Sequence, residues 1–271
     1  GGLVDLATVV LLMRGLRDLK RDPREVAWYA LSPLPVVEFA GNGHVDGLGL
    51  LLLVAAFLAL RRGRHAAAGV LIGLATMVKL YPGVALLAAW RQGRWRTLGA
   101  AAAVSVIAYV PHVVAVGTRI VGYLPGYFEE EHYSSGGRFL IFSLLPIRGH
   151  MLVVLSAATV VLVAAAVLRS GIEPVAATAA IFSAVLLVAS PVQPWYAVVL
   201  AGLGILCRAP WLALPALLAE PYYAAVILGN PHQIGIGQLC YSAAAVSMLF
   251  LTLRKRTGQR VRIGAMSSTR L

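Results

Sequence analysis

Residues 66–90, AAAGVLIGLATMVKLYPGVALLAAW, decide how the whole chain is read. These 25 residues have the length of one membrane-spanning helix, for which about 20 suffice, yet Arg61, Arg62 and Arg64 precede them and Arg91, Arg94 and Arg96 follow. A single crossing sets the two arginine clusters on opposite faces, against the tendency of short cytoplasmic loops to collect Lys and Arg. A break at Lys79-Leu80-Tyr81-Pro82 removes the conflict. Proline has no amide hydrogen and disfavours helix in the residue before it, so Pro82 reads as the start of a second half-helix. At 1.5 Å per residue, 66–78 rises about 20 Å and 82–90 about 14 Å, each short of roughly 30 Å of hydrocarbon. The segment is therefore expected to be a re-entrant hairpin with Lys79 near its tip.

The rest of the chain fits that setting. Of 271 residues 59% are hydrophobic and 13% charged, with a mean hydropathy of +0.81; soluble domains carry roughly 25% charged residues. A soluble domain is excluded. Further apolar runs lie at 1–13, 26–41, 46–60, 97–116, 150–168, 174–190, 195–207, 210–228 and 235–253. Hydrocarbon offers peptide groups no hydrogen-bond partner, so these runs must be helices, a barrel requiring alternating strands of about 10 residues instead. The expected fold is all-α, a polytopic integral membrane bundle over 1–253 with nine to eleven apolar helices.

The 23 basic residues against 11 acidic give a net charge of +12. In a soluble chain that balance suggests nucleic acid; here placement matters more, and no nucleic-acid partner is expected. Nineteen basic residues fall in the arginine-rich connections and the tail 254–271, which the positive-inside rule makes cytoplasmic. Only Arg119, Arg138 and Arg148 lie in the opposite connections, and Lys79 lies between. The tail is expected to be disordered, its Arg254, Lys255 and Arg256 drawn to anionic lipid. The 33 residues 117–149 form the long outer connection, which contains Glu129, Glu130, Glu131 and His132 among Tyr123, Tyr127, Phe128, Tyr133 and Phe139. Loops of such length are usually functional or disordered, and the aromatic content favours packing. Twenty Arg to three Lys, with much Ala, Val and Gly, suits a GC-rich bacterial genome and hence a bacterial plasma membrane.

Cys207 and Cys240 sit in separate apolar runs without metal-ligand spacing, so neither a disulfide framework nor a metal cofactor is expected. The run 1–13 is too short to span and has no basic region before it. It reads as the remainder of a longer helix, an N-terminal truncation that implies a missing upstream segment.

Polar residues that hydropathy does not require collect in three places. Glu38, Asn42, His44 and Asp46 lie in the Gly-punctuated joint between two apolar runs. Capping of the next helix explains Asp46 on structural grounds, whereas ionisable groups inside membranes are functional by default. Lys79 is placed to pair with a lipid phosphate or, structurally, with Glu38 or Asp46, and Tyr81 adds a hydroxyl at similar depth. The third place is Ser190-Pro191-Val192-Gln193-Pro194-Trp195-Tyr196, a proline-marked break whose aromatics act elsewhere as interfacial anchors. Asp5 and Glu220 also stand in apolar surroundings, the latter beside Pro221 at an expected helix break.

Trp28 through Asp46, then Ala68-Gly69 to Lys79-Leu80-Tyr81-Pro82, and finally Ser190-Pro191 to Trp195-Tyr196, in this order, resemble the actinobacterial branch of the GT-C superfamily: polyprenyl-phosphate-sugar-dependent glycosyltransferases, including glycosyltransferase family 87 and related mannosyltransferases of cell-envelope assembly. The resemblance implies inverting hexosyl transfer, with mannose the expected sugar, from a polyprenyl-phosphate donor to a glycolipid or glycan acceptor at the outer membrane face. A carboxylate acts as general base and a cation stabilises the departing phosphate. Asp46 and Glu38 are the candidate catalytic residues of this chain, and His44, Asn42, Lys79, Tyr81, Gln193, Trp195, Tyr196, His132 and Arg138 are the candidates for donor or acceptor binding. Relatives often have histidine where Gln193 stands. The superfamily's usual catalytic carboxylate lies in a first outer loop, which the truncation removes, so the fragment alone is expected to be inactive. The competing class is a secondary transporter or lipid-linked-sugar flippase, which also uses broken helices and midplane charges; no inverted repeat supports it.

Overall fold

A computed structural model describes residues 1–90, 93–133 and 138–268. Among them the ordered structure is helical throughout, without a strand. Helix α1 (Gly2–Asp18) is followed by short turns at Pro23–Val26, Ala27–Ala30 and Pro33–Pro35 and by a π-helical segment, Val36–Gly41. Then come α2 (Asp46–Arg61), α3 (His65–Val78), α4 (Val84–Ala89), α5 (Arg94–Val116), α6 (Leu124–Glu130), α7 (His150–Ser170), α8 (Pro174–Val188), α9 (Pro194–Cys207), α10 (Leu214–Ile227) and α11 (Gln233–Ser268).

Helix α9 forms the centre. Residues Ala197 to Leu206 on it are all buried, and it packs against α1, α2, α8 and α10. A helix apolar on every side is stable only when enclosed on every side. Outside this core, α2 packs on α3 and α3 on α5, where Gly73 lets the two backbones approach: a Cβ there would sit 3.0 Å from the Ala101 carbonyl oxygen. A Cβ at Gly69 would overlap the Thr97 carbonyl oxygen. Small residues permit such contact where lipid supplies no hydrophobic drive between helices.

The arginine-rich end of the bundle is knitted by charge. Arg62 pairs with Asp18 at 2.7 Å and Arg61 with Glu173 at 3.1 Å. The last carbonyls of α9 receive donors from two sides: Arg21 reaches those of Ile205 (2.7 Å) and Leu206 (3.1 Å), and Lys255 those of Cys207 (2.9 Å) and Arg208 (3.1 Å). Cations at a helix C-terminus meet both its orphan carbonyls and its dipole.

Among the described residues three helical stretches are long and apolar enough to cross a membrane, Trp95–Glu130, His150–Ser170 and Gln233–Lys255. A fourth crossing arises if Pro33–Gly41 and Asp46–Arg61, bent by 115°, count together. Of the nine to eleven apolar helices expected, α3, α8 and α9 are apolar but only 14, 15 and 14 residues long, short of a full crossing. The run 26–41 is not one helix, because the chain breaks at Leu31 and Ser32, restarts at Pro33 and widens after Pro35 into the π-segment. The break at Lys79 stands where Pro82 places it: Lys79 is extended (φ −154°, ψ 153°) and a 3-10 turn, Tyr81–Gly83, leads into α4. The connection 117–149 contains α6 and 3-10 turns at Gly117–Val121 and Phe142–Leu144. The tail, expected to be disordered, continues α11 to Ser268, since nothing between 254 and 268 except two glycines opposes helix; residues 269–271 lie outside the described residues.

Candidate functional site

Asp46 opens α2 and is completely buried. Its carboxylate caps nothing. Lys79 Nζ donates to Oδ2 at 2.7 Å and the Tyr81 hydroxyl donates to Oδ1 at 2.9 Å. A carboxylate taken out of water costs several kcal/mol unless its oxygens find donors, and here both have one. The extended backbone at Lys79 makes this possible, because it ends α3 and turns the side chain back towards α2. The Lys79 side chain remains 26% exposed. Its ammonium lies 4.1 Å from the centre of the Tyr196 ring, a cation over an aromatic face. Tyr81 stacks on Phe182 at 4.6 Å and meets the edge of Tyr196 at 6.0 Å.

The second cluster hangs on the π-segment. Its wide turn closes with the Asn42 amide donating to the Val37 carbonyl at 2.8 Å, a geometry that recurs at functional sites. It carries Glu38 inward, with 3% of the side chain exposed. Asn42 Nδ2 donates to Glu38 Oε2 at 3.3 Å, and His44 Nε2 lies 3.3 Å from the same oxygen. Gly43, at φ +72°, makes the turn that brings His44 back. The His44 ring is stacked on Trp195, 3.9 Å between centres and 15° between planes, and Trp195 meets the edge of Tyr223 at 5.6 Å. Glu220 of α10 faces Glu38, carboxyl to carboxyl.

The turn 190–193 is held from outside. Arg138, only 4% exposed, donates through Nε to the Ala189 carbonyl at 2.7 Å and through its terminal nitrogens to the Pro191 carbonyl and the Glu131 carboxylate. The Leu140 amide donates to the Ser190 carbonyl at 2.9 Å. From inside, the Tyr241 hydroxyl accepts from the Val192 amide at 3.0 Å and donates to its carbonyl at 2.7 Å. Gln193 Oε1 is enclosed without a partner among the described residues. Tyr133 lies under the Arg138 guanidinium, 4.5 Å from ring centre to Cζ; burial raises its phenol above the usual range against the pull of that cation.

The structure thus gathers Glu38, Asn42, His44, Asp46, Lys79, Tyr81, Trp195 and Tyr196 around one aromatic wall, with Gln193 at its base. Arg138 is engaged by the Ala189 and Pro191 carbonyls and the Glu131 carboxylate. His132 (φ +57°) is exposed and, with Arg138, Glu130, Pro191, Tyr222 and Gln238, lines a cavity of about 670 Å³. Sequence reasoning missed Phe182, Tyr223 and Tyr127, whose hydroxyl is hydrogen-bonded to that of Tyr196. It noted Glu220 without joining it to Glu38; the signal was a lone acid in an apolar run. Among the described residues no group of three His, Cys, Asp or Glu side chains is arranged to hold a metal.

A family model described as glycosyltransferase family 87 matches residues 2–191, more than half of the chain. No curated protein and no solved structure matches it.

Proposed function

The chain belongs to glycosyltransferase family 87, a membrane glycosyltransferase family, and on that premise we propose that this site moves a hexose, mannose by the family resemblance, from a polyprenyl-phosphate donor to a glycolipid or glycan acceptor at the outer membrane face. The observation that carries the reading is the Lys79 ammonium, fixed by the buried Asp46 and still partly open. A cation held in this way is suited to negative charge that grows on a phosphate as the glycosidic bond breaks, because it needs no reorganisation at that moment. Asp46 then positions Lys79 and Tyr81, both of its oxygens being occupied. The aromatic faces of Trp195 and Tyr196 border the sugar.

A second feature supports a lipid-borne donor. An apolar groove of about 690 Å³ runs between Trp28, Leu31 and Pro33 on one side and Ala201 and Leu217 on the other. The segment that forms its first wall continues directly into the π-segment with Glu38. Attack by an acceptor hydroxyl on the face of the anomeric carbon opposite the phosphate inverts that centre.

The test is transfer of radiolabelled mannose in membranes containing the protein, with polyprenyl-phosphate mannose compared against a nucleotide-activated sugar. Transfer from the lipid donor alone, giving an inverted product, is expected. Equal transfer from the nucleotide sugar in membranes depleted of polyprenyl phosphate refutes the donor.

A further inference from the structure

The chain at 190–196 borders two spaces. Trp195 and Tyr196 form the wall beside Lys79, and Pro191, shortly before them, lines the cavity of about 670 Å³, a size inside the roughly 300–1,000 Å³ of small-molecule sites. A second segment borders both spaces as well: Tyr222 lines the cavity, while its chain neighbour Tyr223 meets the edge of Trp195 at 5.6 Å. The cavity is thus at the N-terminal end of α9, away from the end held by Arg21 and Lys255. Part of its wall is close-packed. A Cβ at Gly237 on α11 would stand 2.5 Å from Leu140 Cδ1 and 2.7 Å from Tyr222 Cδ2, so the backbone of α11 lies directly against both side chains.

We propose that this cavity binds uncharged sugar units of the acceptor, those beyond the unit that carries the attacking hydroxyl, an assignment that rests on sugar transfer taking place at the neighbouring site. The charges of its lining balance, Glu130 and Glu131 against Arg138 and Arg148. They are also partly engaged: Arg138 with Glu131, Glu130 with the Tyr123 hydroxyl, and Arg148 with the Leu145 and Ile147 carbonyls at 2.9 and 2.8 Å. A phosphate-bearing ligand would meet as many carboxylates as guanidinium groups, and like charges brought together are unfavourable. A sugar hydroxyl both donates and accepts, so it can use either sign; a carboxylate or guanidinium group with one bond made keeps capacity for more. Gln238 adds an amide held in place, its Nε2 donating to Ser143 Oγ at 3.0 Å while that hydroxyl donates to the Leu140 carbonyl at 2.8 Å. Ile234, one helical turn before Gln238 on the same face of α11, and the Tyr222 ring supply apolar surface for the C–H faces of a sugar. A few placed polar groups among apolar ones fix the orientation of a small ligand. With the outer units held here, the terminal unit is left to reach past the 190–196 turn to the wall beside Lys79.

The experiment measures binding of linear mannotriose to the detergent-solubilised protein and to its Gln238→Leu and Ile234→Trp variants by titration calorimetry, beside mannose transfer to the octyl glycosides of mannose and of mannotriose. Ile234 is 60% exposed, so tryptophan there takes up cavity space without entering the core, and melting temperature is expected to stay at the wild-type value. The expected Kd for mannotriose is about tenfold higher in Gln238→Leu, the range of one lost hydrogen bond, and higher again in Ile234→Trp. In transfer, the wild type should have a lower KM for the trisaccharide acceptor than for the monosaccharide, and the variants should lose that advantage. Tighter binding of the octyl glycoside than of free mannotriose supports a lipid-borne acceptor, and equal binding supports a free glycan. No binding of mannotriose by the wild type, unchanged binding in both variants, or tighter binding of a mannotriose that carries a phosphate overturns the assignment. Binding that both variants weaken, in a wild type that transfers no sugar to either acceptor, upholds the sugar-binding cavity and overturns the transfer reading.

Discussion

Replacing Lys79 by methionine isolates the energetic role of the buried pair. Methionine keeps the length and apolar bulk of the side chain but removes the ammonium 2.7 Å from Asp46 Oδ2, leaving a carboxylate with no exposure and Tyr81 as its remaining donor. Removing one partner of a buried ion pair costs about 3–5 kcal/mol. The surviving Tyr81 hydrogen bond places this case near the lower limit, about 3 kcal/mol, to which the lost contact with the Tyr196 face adds about 0.5–1 kcal/mol. At roughly 2–4 °C per kcal/mol, melting is expected to fall by roughly 7–16 °C. The converse change, Asp46→Asn, leaves a 26% exposed ammonium that water still reaches, so it should cost less. Asp46→Asn combined with Lys79→Met removes both charges and should recover much of the loss. Thermal melting of the four detergent-solubilised proteins gives the coupling directly. A Lys79→Met protein that melts with the wild type, or a double variant no more stable than Lys79→Met, refutes the account of Asp46 as a carboxylate held by Lys79.

Other consequences are testable separately. Lys79→Arg should preserve stability and lower transfer, because a planar fork does not replace a compact ammonium under the Tyr196 ring; equal transfer rates would count against a shaped phosphate pocket. Arg138→Lys cannot reach the Ala189 and Pro191 carbonyls and the Glu131 carboxylate together; a melting temperature several degrees lower is expected, at about 1.5–3 kcal/mol for each charged hydrogen bond lost. Gly69→Ala should cost about 1–3 kcal/mol, as other overpacking changes do, by forcing α3 away from Thr97 on α5, and is read by thermal melting. In a background lacking Cys207 and Cys240, an impermeant thiol reagent should label a cysteine at 130 from outside and leave those at 62 and 94 unlabelled; external labelling at 94 alone would make 66–90 a full crossing.

The features legible from the chain were those set by strictly local rules. Pro82 marked the end of α3 to within a few residues because a missing amide hydrogen acts where it stands. Glu38, His44, Asp46 and Lys79 were legible as polar groups in apolar surroundings. A pair of Lys79 with Glu38 or Asp46 was legible too, but not which of the two, since Asp46 and Lys79 are 33 residues apart and meet only through the packing of α2 on α3. Phe182 was hidden for the opposite reason: an apolar residue in an apolar run carries no sign that Tyr81 lies against it. Hydropathy also misread 26–41 as one helix, because a window average weighs side chains and overlooks what Pro33 and Pro35 do to the backbone. Arg138 showed its charge but not its use, since the carbonyls it binds belong to a turn more than fifty residues away.

Helix α9, clamped at one end by Arg21 and Lys255 and bearing Trp195 at the other, works as a depth gauge. Its 14 residues measure about 21 Å, and tilt only shortens that span along the membrane normal. If the cationic end lies at one hydrocarbon boundary, the aromatic wall stands short of the far boundary of a layer roughly 30 Å thick. The shortness of this central helix would therefore set the proposed transfer at a depth that a lipid-borne phosphate reaches from within the layer.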